Sequence, residues 1–134
     1  MFTEQQLQGI LLGLGRFSVS VQRDEDRTVG YAIKPSIIFR FKDVSFGDAL
    51  KRTFLQYEIR TNFKLRESKT RPHPILSITN LVSLFRMKDL QLIFPMDKDG
   101  NVVFFIEVLD RMELREHMTH EGVEAILELK EKMK

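Results

Sequence analysis

Two stretches of alternating apolar and polar residues constrain this chain most strongly, because a period of two fits an extended strand with one buried face. The first stretch covers residues 16–42 and is broken by a polar turn at residues 23–27, which predicts a β-hairpin. Pro35 cannot donate a ladder hydrogen bond, so we expect an edge or a bulge there. A second alternation at residues 58–66 and a short strand at residues 73–78 predict a second hairpin.

Segments with a period near 3.6 surround the two hairpins, which indicates a mixed α and β fold. The expected order is αββαββα, followed by a final helical region with an extra C-terminal helix. At 134 residues, without repeats or linkers, the chain is expected to form one α+β domain over residues 1–134 with a four-stranded antiparallel sheet. The predicted N-caps of the helices are Thr3, Ser45 with Asp48 as a capping box, Thr79 or Asn80, and Thr119.

The composition limits the cellular setting. The sequence has no cysteine, which excludes disulfides, thiol nucleophiles and cysteine-ligated zinc. Its longest apolar runs, such as residues 102–106, are far shorter than the roughly 20 residues needed to cross a bilayer. The chain begins Met1-Phe2-Thr3-Glu4, without the basic stretch of a secretory signal. We expect a soluble intracellular protein, in the cytoplasm or an organellar matrix, with no membrane partner.

The net charge of +2 conceals an uneven distribution along the chain. Residues 1–15 carry −1, residues 16–71 carry +6 and residues 72–134 carry −3, so the positive excess lies on the predicted strands and turns. Long cations suit phosphates, and short amides and hydroxyls suit base edges. An ordinary solvated sheet face would show the same pattern, so both interpretations stay open. The residues predicted to contact nucleic acid are Arg16, Ser18, Ser20, Gln22, Lys34, Ser36, Arg40, Arg60, Asn62, Lys64 and Arg66, with Lys69 and Arg71 in the following loop.

Several short sequence motifs, in their order and spacing, resemble those of one known family. Residues 7–17, Leu-Gln-Gly-Ile-Leu-Leu-Gly-Leu-Gly-Arg-Phe, are similar to the LAGLIDADG motif and the phenylalanine that follows it on the first strand. Further segments resemble the C-terminal motifs of the family: Phe94-Pro95-Met96, Lys98, Glu116-His117-Met118-Thr119-His120-Glu121-Gly122-Val123 and Lys130-Glu131-Lys132-Met133. The chain therefore resembles the LAGLIDADG homing endonucleases over nearly its whole length, and αββαββα is that family's fold.

The resemblance implies that the first helix pairs with a second copy across a two-fold axis, and that two four-stranded sheets form a saddle on duplex DNA. With one motif, this chain is expected to form a homodimer. Gly9 and Gly13, spaced i and i+4, leave a flat strip on which two helix backbones can meet. The alternative is a helix packed closely on the sheet of its own chain. The predicted interface residues are Leu7, Gly9, Ile10, Leu12 and Gly13.

The sequence departs from the family at the residues that perform the chemistry. The resemblance implies a Mg²⁺ ion held by an acidic residue at the penultimate motif position, because a hard cation takes oxygen ligands. That position is Leu14 here, and the motif's other acidic position is Leu12, so neither can bind a metal. Glu4 lies about 15 Å away along the same helix and cannot substitute. Lys98 falls near the lysine that many members place by the active site, and it joins the predicted nucleic-acid contacts.

Two other groups of residues carry weaker signals for metal binding. His117 and His120 are three positions apart, but no third or fourth ligand is evident. Residues 97–101, Asp-Lys-Asp-Gly-Asn, start like a calcium loop, yet the glycine comes two positions early and Val108 occupies the place of the closing glutamate. We therefore expect a turn there, and we assign no catalytic residue, metal or cofactor.

The hypothesis from the sequence is a homodimeric LAGLIDADG-fold protein that binds double-stranded DNA or structured RNA through its sheet saddle, with nuclease activity lost. An active Mg²⁺-dependent homing endonuclease, making site-specific double-strand cuts, is the enzymatic alternative. A splicing or RNA-binding relic is a further alternative. A purely structural protein that uses only the dimer helix is the last one.

Overall fold

The computed structural model describes residues 2–97 and 100–133. The predicted α+β class and element order are confirmed, and the final helical region consists of two α-helices joined by a short 3₁₀ turn at Glu116–Met118. None of the described helices is long and apolar enough to cross a membrane. The elements are α1 (Glu4–Leu14), β1 (Arg16–Arg23), β2 (Tyr31–Arg40), α2 (Val44–Gln56), β3 (Asn62–Lys64), β4 (Ile75–Ile78), α3 (Leu81–Asp89), α4 (Asn101–Glu113) and α5 (His120–Lys132).

The four strands form one antiparallel sheet in the order β1-β2-β4-β3. β1 and β2 pair without a break over residues 16–23 and 31–38. Of the edge or bulge predicted at Pro35, the bulge is wrong, because the register of β2 with β1 continues through this residue, whereas the local edge is present. The sheet tolerates the proline because β4 reaches only residues 37–40 of β2, so the strand has a neighbour on one side only at Pro35.

β3 is shorter than the strand predicted over residues 58–66. Glu58 has a left-handed backbone, with a φ of 59°, which is incompatible with an extended strand. The Arg60 amide donates to the Ser83 hydroxyl oxygen at 2.9 Å, so the chain is tied to the start of α3 before it enters the sheet. Leu65, which lies on the apolar side of the predicted alternation, is 63 % exposed. The alternation in the sequence therefore extends beyond the residues that pair.

The hydrophobic core lies between one face of the sheet and the helices. The Phe17 and Phe105 rings meet edge to face with their centroids 5.2 Å apart, which joins β1 to α4. The Phe39 and Phe54 rings lie 5.9 Å apart and join β2 to α2. Because the helices pack on this inner face, the outer face of the sheet is left to solvent-exposed and half-buried side chains.

Side-chain caps fix where four of the helices begin. Thr3 and Thr119 cap α1 and α5 as predicted, and Asn80 caps α3. The predicted cap of α2 at Ser45 is wrong. The Asp43 carboxylate accepts the Ser45 amide at 2.8 Å, so Asp43 is the cap and the helix begins at Val44. An aspartate two residues before a serine amide is an equally good cap, and the sequence did not distinguish the two.

Candidate nucleic-acid interface

The outer face of the first hairpin carries polar side chains in cross-strand pairs. Ser18 lies opposite Ser36 with their hydroxyl oxygens 3.3 Å apart, and Ser20 lies opposite Lys34. Phe17 and Val19, which alternate with the two serines of β1, are buried on the inner face. The structure thus places the following predicted contact residues on the outer face of β1 and β2: Arg16, Ser18, Ser20, Gln22, Lys34, Ser36 and Arg40.

The same face continues across β4 to β3. Ile75 of β4 lies opposite Arg40 on one side and opposite Lys64 on the other. Since neighbouring strands are about 4.8 Å apart, the α carbons of these two cationic residues are separated by about 10 Å. Asn62 lies opposite Ser77 in the adjacent row. Cations, an amide and hydroxyls therefore share one surface, as contacts to phosphates and base edges require.

Some predicted contacts lie outside the strands. Arg60 and Arg66 are exposed, but Arg60 precedes β3 and Arg66 follows it, so neither belongs to the paired rows of the sheet. Lys69 and Arg71 are exposed in the loop between β3 and β4, as predicted. Lys98 lies outside the described residues.

Arg40 is held by Glu67, a residue that the sequence analysis did not select. Nε of Arg40 donates to Oε1 at 2.9 Å and Nη2 donates to Oε2 at 3.1 Å, which makes a bidentate pair. The hydrogen bonds from Arg40 lower the pKa of the Glu67 carboxyl, and they raise the pKa of the guanidinium. The only signal in the sequence was one acidic residue at the start of a basic loop.

A cleft of about 460 Å³ lies at the C-terminal end of α1, beside the start of α4. Leu12 and Leu14 line it together with Asp97. The Asp97 carboxylate accepts the backbone amides of Val102 at 3.1 Å and Val103 at 3.2 Å, so it caps α4. Within the predicted turn at residues 97–101, the Asp97 side chain therefore stabilises the start of α4.

The donor set of this cleft does not fit the divalent cation that the LAGLIDADG resemblance implies. Leu12 and Leu14 offer no oxygen, and the Asp97 carboxylate already satisfies two helix amides. Within residues 2–97 and 100–133, no three His, Cys, Asp or Glu side chains are grouped so that they could hold a metal ion. We therefore assign no metal chemistry to these side chains.

The histidine pair at residues 117 and 120 is not part of such a group either. Nδ1 of His117 is buried and has no hydrogen-bond partner among the described residues. Burial lowers the pKa of His117, and the nearby charges of Arg27 and Arg115 lower it further. His117 borders a cleft of about 270 Å³ beside the turn between β1 and β2, while His120 is exposed in the first turn of α5.

The predicted dimer face of α1 is accessible at its glycines. A β carbon added at Gly9 or at Gly13 would meet no neighbouring residue within 4 Å, so close packing inside the chain does not explain either glycine. The alternative in which α1 uses them to approach its own sheet is therefore wrong. Leu12 is 48 % exposed and Ile10 is half-buried. Leu7 is removed from the predicted interface, because it is fully buried in the core of its own chain.

Comparison with known proteins gives no match to any family model and none to a curated protein. Solved structures, in contrast, match over almost the whole chain. The homing endonuclease I-TnaI superposes with a TM-score of 0.80 at 24 % identity, and the match covers 99 % of this chain and 88 % of that one.

Two further similar structures contain DNA. The I-SmaMI LAGLIDADG homing endonuclease bound to cleaved DNA matches with a TM-score of 0.78 at 19 % identity, over 100 % of this chain and 44 % of that one. The archaeal intron-encoded homing endonuclease I-Vdi141I, complexed with DNA, matches with a TM-score of 0.75 at 18 % identity, over 96 % of this chain and 80 % of that one. Taken with the αββαββα order and the four-stranded sheet, these matches show that the chain has the fold of the LAGLIDADG homing endonucleases.

Proposed function

We propose that this chain, acting as one domain over residues 1–134, binds double-stranded DNA as a homodimer and no longer cleaves it. The observation that carries the proposal is the outer face of the sheet, where cations, amides and hydroxyls occupy most of the outward positions and none of the described helices packs on them. DNA in the I-SmaMI and I-Vdi141I structures, which share the fold, supports duplex DNA as the ligand.

The charges on this face support contact with phosphates. Arg16, Lys34 and Lys64 are exposed, and none of them forms an ion pair with a carboxylate in the described part of the chain. Cations without a partner release condensed counterions when they neutralise phosphates, which gives affinity that falls steeply with salt. The acidic excess of residues 72–134 lies on the C-terminal helices, which pack on the other side of the sheet.

The exposed glycines of α1 support the homodimer. Gly9 and Gly13 allow two helix backbones to approach closely, and Ile10 and Leu12 supply apolar surface on either side of them. The chain matches 44 % of the length of I-SmaMI, so a second copy would complete a saddle of comparable size. In this arrangement each copy contributes one four-stranded sheet to one half of the DNA site.

Loss of cleavage follows from the side chains at the C-terminal end of α1. Leu12 and Leu14 occupy the two motif positions at which the family carries acids, and Leu14 is 39 % exposed in the cleft at that end. A hydrolytic metal site would need carboxylates at this point, since they hold the ion that activates water. The leucines supply none.

An active Mg²⁺-dependent homing endonuclease is the second candidate function. The observation that favours it is the position of Asp97, whose carboxylate lies in the same cleft as Leu14. Its engagement with the α4 amides argues against this role. A splicing or RNA-binding role would use the same outer face of the sheet, with structured RNA replacing duplex DNA.

The experiment combines three measurements on the purified chain. We expect twice the chain mass in sedimentation, retardation of duplex DNA at low salt, and no cutting of a randomised plasmid library with Mg²⁺ or with EDTA. Cutting that needs Mg²⁺ would establish the endonuclease instead. Preferential binding of structured RNA in a competition with duplex DNA would establish the RNA-binding role, and failure to bind either would leave a structural protein.

A further inference from the structure

The Arg40 guanidinium is held along its Nε–Nη2 edge, which leaves the end formed by Nη1 and Nη2 facing away from the carboxylate. Its Nε and Nη2 donate to the two oxygens of Glu67, at 2.9 and 3.1 Å, whereas Nη1 makes no hydrogen bond to any described residue. A guanidinium is a rigid planar fork with five N–H donors, so pairing along the Nε edge leaves the Nη1 and Nη2 end available. The outer face of the sheet therefore presents one arginine whose free end has a set direction.

Glu67 is itself held in place by its loop. Its backbone amide donates to the His73 carbonyl oxygen at 3.0 Å, and the Ser68 amide donates to the Arg71 carbonyl oxygen at 3.0 Å, which closes the loop between β3 and β4. The Glu67 side chain is only 22 % exposed, and it receives a second cation, Arg71, with Nη1 3.5 Å from Oε2. The carboxylate is thus a fixed support and not a freely moving surface acid.

The free end of such an arginine matches the major-groove edge of one base. Guanine presents two acceptors there, O6 and N7, and a bidentate arginine contact with them is the commonest specific contact to DNA. A phosphate contact carries no sequence information and can be made from many directions, whereas O6 and N7 of guanine must be met in one orientation, so a fixed guanidinium favours the base contact. A cleft of about 390 Å³, lined by Arg40 and Arg71, lies beside the pair.

We infer that Arg40 reads a guanine in the target duplex and that Glu67 is the positioning residue that aims it. The inference rests on the proposed DNA binding and deepens it, since it assigns base recognition to one arginine of the sheet. Glu67 also offsets part of the charge of Arg40 and Arg71, which reduces attraction to phosphates of any sequence. The Arg40–Glu67 pair therefore lowers the affinity for DNA of any sequence and raises the selectivity for one base pair.

The test is selection of binding sites from a randomised duplex library, with the wild-type chain and three variants. Arg40→Lys keeps the charge but removes the fork, and Glu67→Gln removes the charge and one acceptor oxygen. The matched control is Asp48→Asn, which alters another arginine pair, Arg52 Nε to Asp48 Oδ2 at 3.1 Å, on the exposed side of α2. Thermal midpoints of all variants report on folding.

We expect wild-type chain and Asp48→Asn to enrich guanine at one position of each half-site by at least about fivefold over the other bases. Arg40→Lys and Glu67→Gln should each reduce this enrichment to less than about twofold. Glu67→Gln should still bind the unselected library, and more tightly than wild type, because one negative charge is gone from the face. Replacing the selected guanine by 7-deazaguanine should weaken wild-type binding and leave Arg40→Lys unaffected.

Three results would overturn the inference and are distinguishable from one another. If wild type binds duplex DNA but Glu67→Gln keeps the same guanine preference, Glu67 is a structural partner only and the proposed function stands. If wild type retains no duplex at low salt, the proposed function fails and the inference fails with it. A guanine preference unchanged in Arg40→Lys would assign base reading to another residue.

Discussion

Gly47 of α2 lies directly against the Phe41 ring, at the point where β2 leads into that helix. A β carbon at this glycine would overlap Cε2 and Cζ of Phe41 and would come within 2.8 Å of Cζ of Phe63. The glycine is buried and the two rings are half-buried, so an added β carbon would force both rings to shift. Close approach of α2 to the sheet therefore depends on the absence of a side chain at this position.

Gly47→Ala is expected to destabilise the fold by about 1–3 kcal/mol, because overpacking forces neighbouring rings off their preferred rotamers. Urea unfolding measures the change in the free energy of unfolding. Ser45→Ala, at an exposed position of the same helix, is the control and should change the free energy of unfolding by no more than about 0.5 kcal/mol. Equal stability of Gly47→Ala and wild type would contradict the contact described.

The glycine strip of α1 predicts a monomeric variant that still folds. Gly9→Leu together with Gly13→Leu adds side chains where the chain itself has no neighbour, so we expect the fold to remain and close approach of two helices to be blocked. Sedimentation should show a fall from twice the chain mass to the chain mass, with an unchanged circular dichroism spectrum. Glu124→Leu, on the exposed face of α5, is the control and should stay dimeric.

The cations of the outer face predict a change in salt dependence. In the proposed homodimer, Arg16→Ala with Lys34→Ala removes four cations, so the slope of log K against log salt for duplex DNA should fall by about 4, since each phosphate contact contributes about 0.9. Fluorescence anisotropy between about 50 and 200 mM salt measures the slope. Lys51→Ala, exposed on α2, removes one cation on the other side of the sheet and should leave the slope unchanged. A similar loss in this control would place the DNA elsewhere.

His117 predicts a loss of stability in mild acid. Burial first, and Arg27 and Arg115 next, lower its pKa below the ordinary value of about 6.5, so the unfolded chain takes up the proton first. The corresponding stability is complete above about pH 6.5 and is lost as the pH falls through the lowered pKa. Urea midpoints should fall between pH 7.5 and 5.5. His117→Leu should flatten this dependence, whereas His73→Leu, at an exposed position, should retain it.

Local patterns predicted those parts of the fold that local physics determines. The alternation of Phe17 and Val19 with serines located β1, because one face of that strand is buried and the other is not. The same reasoning overextended β3, since the hydrogen bond from Arg60 to Ser83 takes the chain away from the sheet. Ser83 lies 23 residues further along the chain, and no residue pattern within the strand predicts this hydrogen bond.

The candidate site was predicted in the same uneven way. Outward-facing residues such as Lys34 and Lys64 followed from the period of two alone. The pairing of Arg40 with Glu67 did not, because it depends on the register of β2 with β4 and on the shape of a loop 27 residues away. For Gly9 and Gly13 the sequence allowed two interpretations, and the packing around α1 excludes the one in which the glycines approach the sheet of their own chain, while the dimer stays a prediction.

The division of the sheet into two faces has a consequence for how such a protein changes over time. Phe17, Ile37 and Leu76 belong to the core that packs on the helices, while the residues that alternate with them lie outside this core. Under the proposed function, replacing an outward side chain would therefore alter what the sheet recognises at little cost in folding. A chain of this kind can lose one target and acquire another through single substitutions, while its architecture stays constant.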